Sequence, residues 1–111
     1  MFALVVRFDL APGAGLAFDA LVQETLEEIQ LREPRTLIYA CHDVEGAPYS
    51  RLFYELYEDR AAFDEHEAGN HVRRFLAERE QYLAAPPRVE FLTLRARYDA
   101  RKLGRWRLGG G

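Results

Sequence analysis

The predicted β-strands of this chain carry apolar side chains on both of their faces, and this restricts the fold more than any other feature. Residues 2–9 read Phe-Ala-Leu-Val-Val-Arg-Phe-Asp, so one face is wholly apolar and the other carries the apolar Ala3 and Val5 before Arg7. Successive side chains of a strand point to opposite sides of its sheet. A strand with this pattern is therefore expected to be covered on both sides.

Strands and helices are predicted in the order β-α-β-β-α-β. β-Branched and aromatic residues indicate strands over residues 2–9, 36–42, 49–57 and 89–94, and helical spacing of apolar residues indicates helices over residues 16–31, 60–67 and 71–83. Asp59 is suited to cap the second helical region, and Gly69-Asn70 interrupts it. This order predicts an α+β, ferredoxin-like fold, a four-stranded antiparallel sheet with its helices on one face.

The other face of such a sheet needs a cover. A chain of 111 residues makes one domain, and its two helical regions can shield only one side of the sheet. The simplest cover is a second copy related by a two-fold axis, so we predict a homodimer. The domain is predicted to span residues 1–98, and residues 99–111 form a basic extension that ends in glycine. That extension is expected to be partly disordered or to pack on the partner, rather than to bind anions.

Composition argues against several classes of partner. The net charge of −3 gives no electrostatic reason to expect nucleic acid or an anionic membrane. No apolar run is long enough to cross a bilayer, and the N-terminus lacks the features of a signal peptide. Cys41 is the only cysteine, so an internal disulfide is excluded. We therefore expect a cytoplasmic protein.

Residues 33–75 contain a combination of motifs. The segment Glu33-Pro34-Arg35-Thr36, followed by Tyr39, resembles the Glu-Pro-Gly-Thr…Tyr segment before the second strand of antibiotic-biosynthesis-monooxygenase domains. Residues 54–66, with His71 and Phe75, resemble that family's Glu-x-Trp strand end, helix start and paired histidines. The similarity runs from residue 2 to about residue 94. Arg35 replaces the family's usual glycine, and Tyr57 replaces its tryptophan.

This resemblance implies a dimeric α/β barrel with a pocket between the sheet and helices of each subunit. Some members oxidise quinols or polycyclic phenols with dioxygen and no metal, flavin or haem, whereas others degrade haem. The haem-degrading members have asparagine where this chain has Val6, and no histidine here matches their haem ligand. The resemblance thus favours a cofactor-independent monooxygenase of a phenolic, hydroquinone or polyketide-like aromatic substrate. A dimeric module that binds a small aromatic molecule without turnover is the alternative.

Oxidation of a phenol without a cofactor requires a base, because the substrate has to become an electron-rich phenolate. Histidine titrates near neutral pH and is suited to this task. We predict His66 as the base and Glu55 as a proton acceptor or as the group that orients His66. Histidines at helix ends also cap carbonyls or pair with carboxylates, and Glu55 could instead pair with Arg7 or Arg51.

The residues predicted to bind the substrate are Tyr57, His71, Tyr39, Phe63 and Phe75. Tyrosine offers an apolar ring and one polar tip, which suits a site for a planar aromatic ligand and suits a dimer interface equally well. The family resemblance assigns Tyr57 to the pocket, and Tyr54, on the opposite face of its strand, is expected at the interface. Both phenylalanines could instead belong to the core.

A metal site is not predicted. His66 and His71 are five residues apart, whereas two ligands on one face of a helix are typically four apart. No third ligand follows from the sequence, and Cys41 lies in mid-strand among apolar neighbours, where a thiol is usually inert. We therefore predict no cofactor.

Overall fold

A computed structural model describes residues 1–98, and the predicted extension at residues 99–111 lies outside them. The elements are β1 (Phe2–Asp9), α1 (Gly15–Arg32), β2 (Thr36–Val44), β3 (Ala47–Tyr57), α2 (Arg60–Ala68), α3 (Asn70–Glu78), a 3₁₀ turn (Arg79–Tyr82) and β4 (Arg88–Leu92). This order confirms the predicted β-α-β-β-α-β arrangement. Among residues 1–98, no helix is both long enough and apolar enough to cross a bilayer.

The four strands form one antiparallel sheet in the order β2-β3-β1-β4. The predicted hairpin between β2 and β3 is confirmed, and its turn contains Gly46 at φ +78°, a backbone conformation that favours glycine. Strand β1 lies at the centre and pairs with β3 along its whole length, from Phe2 opposite Tyr57 to Asp9 opposite Ser50. The fold is therefore the predicted ferredoxin-like α+β fold.

The core lies between the helices and one face of the sheet, which we call the inner face. Leu4, Val6 and Phe8 of β1 are at most 6% exposed, whereas the alternate positions of β1 are only half-buried. Rings from four elements meet in this core at centroid separations of 5.1–6.3 Å, and they belong to Phe8, Phe18, Phe53 and Phe75. Tilted and edge-to-face contacts of this kind add to the stabilisation from burial.

The second helical region has nearly the bounds that the sequence predicts. Asp59 caps α2 as predicted, because its carboxylate accepts a hydrogen bond from the Ala62 amide at 2.8 Å. Extended backbone at Gly69 then separates α2 from α3. The predicted helix to about residue 83 is α-helical to Glu78 and continues as the 3₁₀ turn. The region ends there because the Leu83 backbone is extended and forms a bridge with Leu10, which a helix could not do.

The opposite side of the sheet, the outer face, carries mainly apolar side chains and no helix. Its apolar members are Ala3, Val5, Ile38, Ala40, Leu52, Tyr54, Leu56 and Leu92, and its polar members are Arg7, Asp9, His42, Ser50, Arg88 and Glu90. Ile38 and Leu92 are 37% and 39% exposed. Residues 93–98 run beside this face and leave a cleft of about 770 Å³ against it. The outer face is therefore the uncovered apolar surface that the strand pattern predicts.

Candidate functional site

A half-enclosed cavity of about 230 Å³ lies between the helices and the inner face of the sheet. Its lining is mostly apolar and aromatic, with four polar side chains, Glu55, His66, Glu67 and Arg79. Val89 and Phe91, on the inner face of β4, are 47% and 58% exposed. Because β4 lies at the edge of the sheet, a ligand can enter from this side. Such a concave apolar site with a few convergent polar groups is typical of small-molecule binding.

His66 is held in a single orientation on α2. Its side chain is 3% exposed, and its Nδ1 atom lies 2.7 Å from Oε1 of Glu33. A carboxylate can only accept, so the proton of this hydrogen bond belongs to Nδ1. In the neutral ring Nε2 is then the unprotonated nitrogen. Nε2 lies 4.0 Å from Oε1 of Glu55, and both residues line the cavity. His66 can therefore take a proton from a group bound there.

Glu33 provides the orienting carboxylate, a role that the sequence suggested for Glu55. It follows α1 directly, and its carboxylate binds His66 through Oε1 and Nε2 of His71 through Oε2. The Thr36 hydroxyl also donates to Oε1 at 2.7 Å. Burial acts to raise the pKa of Glu33, but hydrogen bonds from His66 and Thr36 outweigh it, so that pKa is lowered overall. The carboxylate thus stays charged and can stabilise an imidazolium.

Glu55 lies on β3 beside His66 and is bound by a tyrosine. The alternative partners Arg7 and Arg51 pair with aspartates elsewhere, so that expectation is wrong. Instead, the Tyr57 hydroxyl donates to Oε1 of Glu55 at 2.6 Å. Burial raises the pKa of Glu55, and the Tyr57 hydrogen bond offsets only part of that effect. Glu55 is therefore a carboxyl group that can hold a proton next to the cavity.

Arg79 is a cavity residue that sequence reasoning did not identify as functional. Its guanidinium carbon lies 5.2 Å from the Phe8 ring centroid and 5.8 Å from that of Phe75. Its Nε atom is buried and has no hydrogen-bond partner among residues 1–98. Burial also lowers the pKa of Arg79. An arginine on the apolar stripe of the predicted helix was the available signal, because charged side chains are rarely buried without a partner.

The structure brings most of the predicted site residues together. Tyr39, Phe63 and Phe75 line the cavity with His66 and Glu55. Tyr57 is completely buried, its ring centroid lies 5.2 Å from that of His66, and its hydroxyl is directed at Glu55. His71 lines a separate surface cleft of about 490 Å³, which we call the outer cleft. Direct contact of Tyr57 or His71 with a substrate stays a prediction.

Comparison with known proteins assigns the family. The family model for antibiotic biosynthesis monooxygenases matches residues 1–78. The chain belongs to the antibiotic biosynthesis monooxygenase family. The match includes the whole of α2 and α3, and it confirms the resemblance that the motifs in residues 33–75 indicated. Among curated proteins, none matches the chain.

Solved structures of other proteins, some of them named as antibiotic biosynthesis monooxygenases, have the same fold. One is 24% identical, with a TM-score of 0.79 over 86% of this chain and 100% of the other. A protein from Mycobacterium tuberculosis is 23% identical, with a TM-score of 0.81 over 88% of this chain and 98% of its own. A candidate antibiotic biosynthesis monooxygenase from Caulobacter crescentus is 18% identical, with a TM-score of 0.81 over 86% and 90% of the two chains. At these identities the similarity establishes the fold.

The groups of this chain that can carry chemistry are acids, bases and aromatic rings. In residues 1–98, no three His, Cys, Asp or Glu side chains are grouped so that they could hold a metal ion. Cys41 is half-buried, and burial raises the pKa of its thiol to about 11, so it is not a thiolate at neutral pH. The cavity is therefore equipped to move a proton and to hold an apolar ring.

We expect the stability of the fold to report the raised pKa of Glu55. The folded state binds the Glu55 proton more tightly than the unfolded chain, so the fold loses the stability that this proton contributes as pH rises from the usual carboxyl pKa of 4.5 through the raised pKa of the folded state. Glu55→Gln has no proton to lose, and its amide oxygen can still accept from Tyr57. Urea denaturation at about pH 4 and about pH 8 measures the free energy of unfolding of both proteins. The value for the variant, relative to that of the wild type, should be higher at pH 8 than at pH 4. An identical difference at both pH values contradicts the raised pKa.

Proposed function

We propose that this antibiotic biosynthesis monooxygenase oxidises a small phenol or hydroquinone with dioxygen, with no bound cofactor, and that His66 is the base. One observation carries the proposal. An imidazole fixed through Nδ1 by a buried carboxylate presents its free nitrogen to an aromatic-lined cavity. A base held in this way needs no reorganisation at the moment of proton transfer.

The first step is ionisation of the substrate. A phenolic hydroxyl bound next to His66 loses its proton to Nε2, and the imidazolium that forms keeps its Nδ1–H bond to Glu33. The phenolate carries its negative charge in a cavity whose cation is Arg79. The Nε–H of Arg79 lies 3.9 Å from Oε1 of Glu80 but makes no hydrogen bond within residues 1–98, so a bound oxygen anion could accept from it. These residues therefore favour the ionised substrate over the neutral phenol.

The second step transfers electrons from the phenolate to dioxygen. For a phenol with a hydrogen on the para carbon, one oxygen atom forms the new carbonyl and the other leaves as water, so that phenol and O₂ give quinone and H₂O. A hydroquinone already carries both oxygens, and with O₂ it gives quinone and H₂O₂. The task of the protein is to ionise the ring, hold it and exclude water.

The size of the cavity favours a substrate of one or two fused rings. Its volume of about 230 Å³ is below the roughly 300–1,000 Å³ of sites for drug-sized ligands. Tyr39, Phe63 and Phe75 supply ring faces and edges for stacking. A tetrapyrrole is much larger than this space, which disfavours the haem alternative. A small aromatic molecule is the ligand that the lining suits best.

The proposal includes a homodimer that covers the outer face. The support is the row of apolar side chains on β1, β2 and β3, among them Val5, Ile38 and Leu56, with no helix on that side of the sheet. Two copies of a self-complementary patch related by a two-fold axis would bury each other. A dimer would also place apolar residues such as Leu94, which is 56% exposed, near a second chain.

Oxygen uptake with a panel of phenols, naphthols and hydroquinones tests the proposed function. We expect at least one substrate to be oxidised faster than in buffer, and labelled dioxygen to place one heavy oxygen atom in the quinone formed from a phenol. A ligand that binds and is returned unchanged supports the binding module instead. No acceleration with any compound, or full activity of His66→Ala, overturns the proposal.

Arg79→Gln is expected to lower kcat/KM by about tenfold to a hundredfold, because a hydrogen bond to a charged group contributes about 1.5–3 kcal/mol. The Gln variant keeps a donor of similar length but loses the positive charge. Arg74→Gln is the matched control, since Arg74 is an exposed arginine of α3 that pairs with Glu24 and Glu78. Steady-state kinetics measure both. An unchanged kcat/KM in Arg79→Gln would exclude this arginine from anion stabilisation.

A further inference from the structure

One carboxylate joins two histidines where the inner cavity and the outer cleft approach each other. Glu33 accepts from Nδ1 of His66 at 2.7 Å through Oε1, and its Oε2 is bound to Nε2 of His71. His66 lines both the inner cavity and the outer cleft, whereas His71 lines the cleft and is absent from the cavity lining. The proposed function uses His66 and Glu33 but gives His71 no task. The shared carboxylate therefore joins the proposed base to a second histidine on the cleft side.

The local backbone is arranged to hold His71 at this point. Gly69 separates α2 from α3, and a Cβ atom built there would lie 2.8 Å from Cε1 and 3.2 Å from Nδ1 of His71. Any side chain at position 69 would therefore displace the ring from Glu33. Because Nε2 of His71 is bound to Glu33, Nδ1 is the nitrogen that can exchange a proton with water.

Charge balance couples the two imidazoles. A single carboxylate compensates one imidazolium well and a second one poorly, so two such groups titrate as a pair. His66 is almost completely buried, whereas His71 lies at the cleft, where Glu28 of α1 adds a second negative charge. Burial disfavours a charged ring. Of the two rings, His71 is therefore the one on which a positive charge costs less.

Other ionisable groups surround the pair on both sides. On the cavity side, Glu55 of β3 faces His66, the Tyr39 and Tyr57 rings pack against it, and Glu67 and Arg79 line the same cavity. On the side of His71 the further charged residues are Arg32, Arg35 and Glu65 in the outer cleft, and Glu24, Glu27 and Arg74 in the adjoining surface pocket. The arginines keep one charge throughout the neutral range. Glu33 is the group that both imidazoles touch.

We propose that His71 releases a proton to water in the outer cleft whenever His66 takes one from the substrate. The substrate O–H bond breaks as the Nε2–H bond of His66 forms, and the Nδ1–H bond of His71 breaks as its proton passes to water. Glu33 keeps its charge, and the net charge of the three groups is unchanged. His71 is thus a positioning residue that acts through Glu33. The inference rests on the proposed function, because it needs His66 to be the base.

Nuclear magnetic resonance titration of the histidine rings in the ligand-free protein tests the coupling without a substrate. His71→Gln removes the competing positive charge, so His66 should take up its proton about one pH unit higher than in the wild type, a tenfold gain in proton affinity. His42→Gln is the matched control, since His42 lies on β2 and binds the Leu52 carbonyl. An unchanged midpoint for His66 in His71→Gln overturns the inference.

A second variant and a kinetic measurement separate the outcomes. Gly69→Ala displaces the His71 ring without deleting it, and it should move the His66 midpoint in the same direction. In turnover, His71→Gln should shift the rising limb of the kcat profile to higher pH, whereas a merely structural role would lower kcat equally at every pH. If the His66 midpoint moves in His71→Gln but no compound is oxidised, the proposed function is wrong and the coupling between the histidines stands. If oxidation depends on His66 but its midpoint is unchanged in His71→Gln, the inference is wrong and the proposed function stands.

Discussion

Replacement of His66 by glutamine is expected to lower kcat for substrate oxidation by about 10²–10⁴-fold, the range that a positioned general base contributes. The glutamine amide can still donate to Glu33 and fill the same space, so the wall of the cavity should persist. What is lost is the free Nε2 atom. Initial rates of oxygen uptake at saturating substrate, with circular dichroism to check the fold, measure the effect.

Two controls decide whether the loss is one of proton transfer. His42→Gln removes a histidine on β2 that does not line the cavity and should leave kcat unchanged. Raising the pH above the pKa of the free phenol supplies the anion from solution, so His66→Gln should then approach the wild-type rate. A variant that stays equally slow with pre-ionised substrate would show that His66 does something other than remove a proton.

Leu56→Glu is expected to turn the dimer into single protomers. Leu56 is half-buried on β3, on the outer face, beside Ala3 of β1 and Ile38 of β2. A two-fold axis would place two new carboxylates inside the interface, and an unpaired charge buried there costs several kcal/mol. A cost of about 3 kcal/mol weakens association by more than a hundredfold. Sedimentation velocity of wild type and variant over a concentration series measures the change.

Leu16→Glu is the matched control for that substitution. Leu16 is 89% exposed on α1, away from the outer face, and its replacement introduces the same charge. The control should sediment like the wild type. A wild-type chain that sediments as a single protomer at every concentration contradicts the proposed dimer, as does a Leu56→Glu variant that associates as well as the control.

The fold follows from local features of the sequence. The alternation in residues 2–9 identifies the two sets of side chains that share a face of β1, because the strand period is two whatever the strand pairs with, and the structure shows which set is buried by the helices. Asp59 marks the start of α2 as a helix-capping residue, and Gly69 marks its end as a residue that interrupts helices. The exact end of the helical region could not be predicted, since it depends on pairing between Leu83 and Leu10, which are far apart in the chain.

The site could be predicted only in part, because its key contacts join distant segments. His66 was identifiable as a histidine beside a helix break, and Tyr39, Phe63 and Phe75 as aromatic residues of the right elements. The partner of His66 is 33 residues away, and nothing local in the sequence marks Glu33 as its hydrogen-bond acceptor. Arg79 lies on the apolar stripe of the predicted helix, but periodicity does not reveal that this stripe borders a cavity.

The most direct measurement is the ionisation state of a phenol bound in the cavity. A nitro-substituted naphthol is suitable, because its anion absorbs visible light and the ring is too electron-poor to reduce dioxygen. At a pH where the free compound is neutral, difference absorption spectra should show the anion bound to the wild type and the neutral form bound to His66→Gln. If the wild type binds the neutral phenol, or if both proteins bind the anion equally well, His66 is not the base and the proposed chemistry is wrong.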